Sequence, residues 1–344
     1  MALSNTYPTL EQLLEEARRR IQVAPEELDE AKRRRSAVRD ALRKEFPGSR
    51  VYYNGSVAHG DALTPLTDVD LGVVVPDPDS EYGPGKRGPR SLQDRAANAV
   101  KRELKAEFGD LRVEVEGRKR SILVRFNDPV RDGWDDFTAD IIVALDNPHG
   151  AGLYIPRYNT WDRSHPEKHT ELVRDAIESS KVRFARAVRL LKHWNRNWSE
   201  PALCTWHIKV LALGCLTEPG RILPGLIDWF ECAAKQINVG PTPDPANVGP
   251  DIKTAIAKTD AVRRLRVAAE KLAEAQKLEQ DRWPVLAHSK LAEVFNDPEM
   301  LPAPPDESVR LQEAERIRRR TQRTHTGPAL VGAVPPVRSW SWEW

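Results

Sequence analysis

The chain has few cysteines, no long apolar run, and no charge excess of either sign. Cys204, Cys215 and Cys232 are the only three cysteines in 344 residues, and they fall in helix-like sequence without metal-ligand spacing. That excludes a disulfide scaffold and suits reduced core thiols in a cytosolic protein. No apolar stretch approaches the roughly 18 residues that a membrane span needs. The segment Met1 to Tyr7 lacks the basic and apolar regions of a leader peptide, so a cytoplasmic protein without membrane association is expected. The formal net charge is only +2 on 30% charged residues. Such a balance argues against obligatory binding along a nucleic-acid backbone and leaves only local basic patches. No internal repeat is apparent. Forty per cent hydrophobic residues supply a sizeable core, and the length suits one large domain or two closely packed lobes.

The most informative stretch is Asn54-Gly55-Ser56, followed after a short step by Asp68-Val69-Asp70. Side chains at i and i+2 of a strand point the same way, so Asp68 and Asp70 project together from an apolar run ending at Val75. Adjacent carboxylates repel and lose hydration, which suits a site where a divalent cation supplies the opposite charge. Upstream, Gly55 lets the backbone approach a phosphate closely, while Ser56 offers it a hydroxyl and an N–H. An ordinary turn before a strand with two solvent-facing aspartates would give the same letters. The combination instead suggests a site that holds a nucleoside triphosphate over two metal ions.

A third carboxylate extends the pattern. Asp135 to Leu145 reads as a second strand, apolar beyond Asp140 and therefore buried on both faces. A charge inside such a strand needs a partner. Two metals roughly 3.5–4 Å apart need bridging carboxylates and one that holds the attacking hydroxyl. Asp68 and Asp70 are expected to serve both ions. Asp140 is expected at the ion that activates the acceptor hydroxyl, where it also takes the proton; alternatively it only marks the strand's start.

The rest of the chain divides by pattern. Thr9-Leu10-Glu11-Gln12 has the form of a capping box, and a second helix runs from Pro25 to about Lys44. The run Lys32 to Arg35 reads as a solvated helix face. Strands are expected at 51–53, 111–115 and 121–126, with a helix capped by Ser91 running to Phe108. From about Thr170 the pattern is helical to Arg320, broken by Pro- and Gly-rich stretches. This predicts a mixed sheet with flanking helices, followed by a helical lobe. After Arg320 the composition changes, and the chain ends in a segment containing Trp340, Trp342 and Trp344. These tryptophans are either a docking peptide or a segment that packs back onto the protein.

Within the helical lobe, Val188 to Asn195 contains Lys192, and Cys204 to Lys209 contains Thr205 and Trp206. Together with the Gly-Ser turn and the carboxylates, these segments resemble the cGAS/DncV-like nucleotidyltransferases (CD-NTases). The resemblance covers most of the chain. It includes Trp161 to His169, similar to the family's link into the helical lobe, and Asp244 to Gly249, similar to its late loop before a long helix.

The resemblance implies an α/β fold with a nucleotidyltransferase (polymerase-β-like) mixed sheet core, an N-terminal helical spine and a C-terminal helical lobe. The expected boundaries are 1–165 for the core with its N-terminal helices, 166–322 for the helical lobe and 323–344 for a flexible tail. Asn54, Gly55 and Ser56 would hold the triphosphate, and Asp68, Asp70 and Asp140 would bind two Mg²⁺, or Mn²⁺. Lys192 would neutralise the triphosphate tail, Thr205 would hydrogen-bond it, and Trp206 would stack on a base. For these three, a solvent-facing lysine, an N-cap and core packing remain the alternatives. Two departures stand out. Asp61 occupies a place where a small hydroxyl residue is expected, and Lys209 one where an acidic residue is common. No zinc-ribbon cluster is present. The implied function is synthesis of a cyclic oligonucleotide second messenger from NTPs in bacterial antiphage signalling, with a regulatory or effector protein as a candidate partner for the tail. The competing expectations are linear oligonucleotides, modification of RNA or protein, or a catalytically silent nucleotide-binding regulator.

Overall fold

In the computed structural model, residues 7–77, 80–305 and 307–325 are described, with 321–325 described by backbone alone. The tail's tryptophans lie outside the described residues.

Helix α1 (Leu10–Arg20) opens on the expected capping box: the Thr9 hydroxyl accepts from the Gln12 N–H, and the Gln12 side chain accepts from the Thr9 N–H. Helix α2 (Pro25–Glu45) starts with proline at N1, where its missing N–H costs nothing. Strand β1 (Arg50–Asn54) and the single turn α3 (Gly55–Ala58) precede β2 (Asp68–Val74). Helix α4 (Gly88–Leu104) and strands β3 (Arg112–Glu114), β4 (Ile122–Arg125) and β5 (Thr138–Asp146) follow, then β6 (Leu153–Arg157) and β7 (Thr160–Ser164). The helical lobe comprises α5 (Pro166–Ser179), α6 (Arg183–Arg196), α7 (Thr205–Leu213), α8 (Ile222–Val239), α9 (Lys258–Gln280), α10 (Pro284–Phe295) and α11 (Glu307–His325).

The sheet is mixed, in the order β1-β2-β5-β4-β3, with β6 pairing β5 and β7 pairing β6. Only the β2–β5 pair is parallel among the described strands. Its register sets Asp70 opposite Asp140 and Asp68 opposite Thr138. Directly paired residues share a face, so all three aspartates emerge on one side of the sheet. The other side, with Val69, Leu71, Val73, Ile141 and Val143, is buried in a core shared with α2 and α4. This is the α/β, polymerase-β-like fold.

Several local expectations shift. Ser91 lies inside α4, its hydroxyl donating to the Gly88 carbonyl, rather than capping it. The hairpin β6–β7 was not anticipated, and Trp161 sits in β7 with its indole N–H donating to the Tyr82 carbonyl. The run Lys32 to Arg35 is not simply a solvated face: Arg34 is buried, ion-paired to Glu30 and Asp128, and lies about 5 Å from the Phe108, Phe126 and Phe137 rings. Its planar cation is weakly hydrated and tolerates that aromatic cage. Cys204 is exposed, not a core thiol.

Helix α1, expected with the sheet, instead contributes Leu10, Leu14, Ala17 and Ile21 to the core of the helical lobe. Its Glu11 carboxylate accepts from the Ile222 and Leu223 N–H groups, satisfying donors at the start of α8. No helix among the described residues is long and apolar enough to cross a membrane.

The loop that delivers β2 to the site is held from below. Glu27 of α2 is buried and accepts from the Thr64 hydroxyl and the Leu66 N–H. Replacing it with Ala leaves both donors without a partner. Glu27→Ala should lower stability by about 2–3 kcal/mol in urea unfolding. An unchanged midpoint would show that the loop does not depend on this carboxylate.

Candidate active site

The site is built where β1, α3 and β2 meet. The Asn54 side-chain oxygen accepts from the Gly55 N–H at 2.7 Å, capping α3. Gly55 adopts φ 76°, and a Cβ there would lie 1.7 Å from an Asp70 carboxylate oxygen. Only glycine lets the turn pass this close to the carboxylate. Asn54 pairs with Asp70 across the β1–β2 ladder, so turn and carboxylate are fixed by the same register.

A cleft of about 930 Å³ opens above this turn. Asn54, Gly55, Ser56, Asp68 and Asp70 line one wall, and Lys192, Thr205 and Trp206 line the other. Asp140 does not line it. Its Oδ1 accepts from Arg118 Nη2 at 3.0 Å and from the Ser121 hydroxyl at 2.9 Å. The partner that a charge in this strand requires is therefore an arginine from the β3–β4 loop, with no marked motif to announce it.

Electrostatics separate the carboxylates. Burial, then the charges of Asp68 and Asp140, push Asp70 up to about 7. Burial also raises Asp68, against the pull of Lys192. Asp68 is accessible from the cleft, but its concave walls exclude enough bulk water to disfavour the charged form. Among the described residues, no three His, Cys, Asp or Glu side chains are arranged to hold a metal ion as they stand. The donor chemistry nevertheless fits a hard cation: Asp68 and Asp70 are oxygen donors that repel each other and lack adequate counter-charge.

The opposite wall is organised by hydrogen bonds. Cys204, not Thr205, is the N-cap of α7, its sulfur accepting from the His207 N–H. The exposed Thr205 hydroxyl at the first position of the helix is thus not consumed by capping. Asn195 fixes the approach to α7, its amide donating to the Leu203 carbonyl and accepting from the Leu203 N–H. The Trp206 ring stacks on His169 at 4.5 Å with a 34° tilt. Burial holds His169 below its ordinary range despite the Asp244 carboxylate 2.6 Å from Nε2. The neutral ring therefore donates from Nε2, and Asp244 also accepts from the Val248 and Gly249 N–H groups. The late loop is tied in this way to the tryptophan.

Beneath both walls lies a buried charge network. Lys192 donates to the Asp61 carbonyl at 2.8 Å and to its Oδ1 at 3.0 Å, while Lys209 reaches Oδ2 at 2.8 Å. Asp61 has no solvent exposure. Burial alone would raise its carboxyl, but Lys209 and Lys192 outweigh that and hold it low. Lys209 also donates to His59 Nδ1, so the His59 proton sits on Nε2 and is donated to the Thr170 hydroxyl. That hydroxyl in turn donates to the Tyr53 carbonyl. The two departures noted in the sequence, Asp61 and Lys209, are one ion pair. His59 and Thr170 were missed because nothing in their spacing marks them as partners.

Residues 35–143 match the family described as the nucleotidyltransferase domain. Three solved structures align over most of the chain. Escherichia coli MS115-1 CdnC with ATP is 14% identical, covering 84% of this chain and 99% of that one, with a TM-score of 0.63. Bradyrhizobium diazoefficiens CD-NTase CdnG with GTP is 14% identical, covering 90% and 99%, with a TM-score of 0.61. Vibrio cholerae DncV with GTP is 13% identical, covering 88% and 97%, with a TM-score of 0.61. The chain has the CD-NTase fold. No curated protein shows a significant match to the sequence. The described sheet and helical lobe therefore form a scaffold with that fold, and the cleft between them is the candidate active site.

Two buried rings, His59 at this cleft and His207 of α7, make stability depend on pH. Burial, reinforced at His59 by Lys209, lowers His59 to about 3, and burial lowers His207 to about 4. An unfolded chain protonates histidine near about 6.5. Below that value it binds more protons than the folded chain, so stability falls as pH drops. Asp70, raised to about 7, acts in the opposite sense. Between pH 7.5 and 5.0, His207→Gln should lose about 2 kcal/mol less stability than the wild type. Equal losses in denaturant titrations would show that the folded protein protonates His207 as readily as the unfolded one.

Proposed function

We propose that this protein joins nucleoside triphosphates into a cyclic oligonucleotide. A ribose hydroxyl attacks the α-phosphate in line, pyrophosphate leaves, and the cycle repeats until the product closes. The observation that carries this reading is the cleft itself. It presents a glycine turn pressed against paired carboxylates on one wall, and a lysine, an uncapped threonine hydroxyl and a tryptophan on the other. Solved neighbours hold ATP or GTP, and Vibrio cholerae DncV is described as a cyclic AMP-GMP synthase.

Each residue's part follows from its chemistry. The Gly55 and Ser56 backbone and the Ser56 hydroxyl offer donors to phosphate oxygens. Lys192 keeps one N–H beyond the two that bind Asp61, and that N–H neutralises the triphosphate tail. Thr205 adds a hydroxyl at a helix N-terminus, where anions are favoured. Trp206, backed by His169, offers a base a flat face worth about 1–3 kcal/mol. Asp68, Asp70 and Asp140 would hold two Mg²⁺, or Mn²⁺. Bound there, the metal would neutralise charge on the phosphates and lower the pKa of the attacking hydroxyl. Arg118 and Ser121 hold Asp140 Oδ1, so Asp140 would exchange Arg118 for the metal before it accepts the hydroxyl proton. Holding both nucleotides in one cleft supplies much of the remaining acceleration.

The antiphage signalling role rests on the resemblance alone, and a protein partner for residues 323–344 on the three tryptophans of that segment. CdnC is found in a complex with HORMA-deltaN.

The pure protein incubated with all four NTPs and Mg²⁺, then with phosphatase, should yield a protected cyclic species by mass spectrometry. Asp70→Asn should lower its formation by at least about 100-fold, as expected when a group stabilising transition-state charge is removed. Chelation with EDTA should abolish it. Products that phosphatase degrades completely would replace cyclisation with linear synthesis. Equal product from Asp70→Asn would remove the carboxylates from the chemistry.

A further inference from the structure

Asp61 lies beneath this cleft, and nucleotidyl transfer assigns it no task. It is fully buried, yet it bridges the turn that follows α3 to two helices of the other lobe. A buried carboxylate is costly unless it is paired and hydrogen-bonded. The chain offsets it with two lysines: Lys192 hydrogen-bonds Oδ1, and Lys209, only 2% exposed, is ion-paired with Oδ2. The opposite departures of Asp61 and Lys209 from the expected residue types meet at 2.8 Å, and together they add no net charge.

The consequence falls on Lys192. Its side chain is about 10% exposed and opens on the cleft that also contains Asp68 and Asp70. A flexible ammonium beside two under-compensated carboxylates would move onto them, occupying the positions a cation needs. Asp61 prevents this by taking two of the three N–H groups, one on its carbonyl and one on Oδ1. Arg189 reinforces the arrangement by donating to the neighbouring Gly60 carbonyl.

We infer that Asp61 is a positioning residue that holds Lys192 off the Asp68–Asp70 pair and leaves one of its N–H groups for a phosphate, with Lys209 as the buried counter-charge. This rests on the nucleotidyl-transfer reading of the cleft.

The test is binding, read without turnover. Mn²⁺ affinity is measured by electron paramagnetic resonance without nucleotide, and ATP affinity by calorimetry with Mg²⁺. Asp61→Ala alone strands the Lys209 charge, so the informative variant is Asp61→Ala/Lys209→Met, which removes the Oδ1 acceptor, with its fold checked by circular dichroism. Its Mn²⁺ affinity should fall by about 10-fold or more, the size of effect that groups orienting metal ligands exert. Its ATP affinity should fall as well. Adding Lys192→Met should restore Mn²⁺ binding but not ATP binding, because the competing ammonium is gone. A folded double variant with wild-type Mn²⁺ affinity overturns the inference, as does a triple variant without recovery. Lys192→Met in the otherwise wild-type chain requires no change at the Asp61–Lys209 pair. Loss of its through-space charge should raise Mn²⁺ affinity only slightly, and a rise as large as the fall in the double variant would show that Lys192 already sits on the carboxylates and overturn the inference. A wild type that binds neither Mn²⁺ nor ATP overturns the nucleotidyl-transfer reading and this inference with it, whereas effects confined to the variants bear on Asp61 alone.

Discussion

The buried contact of Asp61 with Lys192 and Lys209 joins the sheet to the helical lobe at the floor of the cleft. Much of the site depends on it. From Lys209 the chain of donors runs through His59 and Thr170 to the Tyr53 carbonyl, one residue before Asn54. The same helices carry Lys192 and Trp206. A fixed carboxylate therefore sets the spacing between the turn on one wall and the groups on the other.

The second constraint is the parallel β2–β5 register. It places Asp70 beside Asp140 on the same face of the sheet, while the opposite face is buried against α2 and α4. Negative charge is thereby concentrated at one end of a rigid sheet, and burial, with those neighbouring charges behind it, raises Asp70 to about 7. Where Asp140 meets Arg118, the protein supplies its own counter-charge. A fold that concentrates carboxylates on rigid strands and cations on facing helices is suited to a polyphosphate bridged by metal, because neither wall has to reorganise far.

The sequence made some of this legible and hid the rest for physical reasons. Strand periodicity placed Asp68 and Asp70 on one face, and the capping box at Thr9 and the proline at Pro25 marked helix starts that the structure shows. The eight expected cleft residues other than Asp140 are brought to one cavity. The turn of Asp140 toward Arg118 was not readable, because loop arginines carry no spacing signal. Helix α1 joined the helical-lobe core rather than the sheet because its apolar stripe fits α8, α9 and α10, a tertiary choice that periodicity does not specify. Asp61 and Lys209 each looked like an anomaly alone; only their 2.8 Å contact shows that each answers the other.

The most direct test is a crystal structure with a non-hydrolysable NTP and Mg²⁺. The account predicts a triphosphate across Gly55 and Ser56, metal on Asp68 and Asp70, Asp140 released from Arg118, and Lys192 reaching a phosphate while still bound to Asp61. A nucleotide bound away from this turn, or a Lys192 that abandons Asp61 to reach it, would contradict the account.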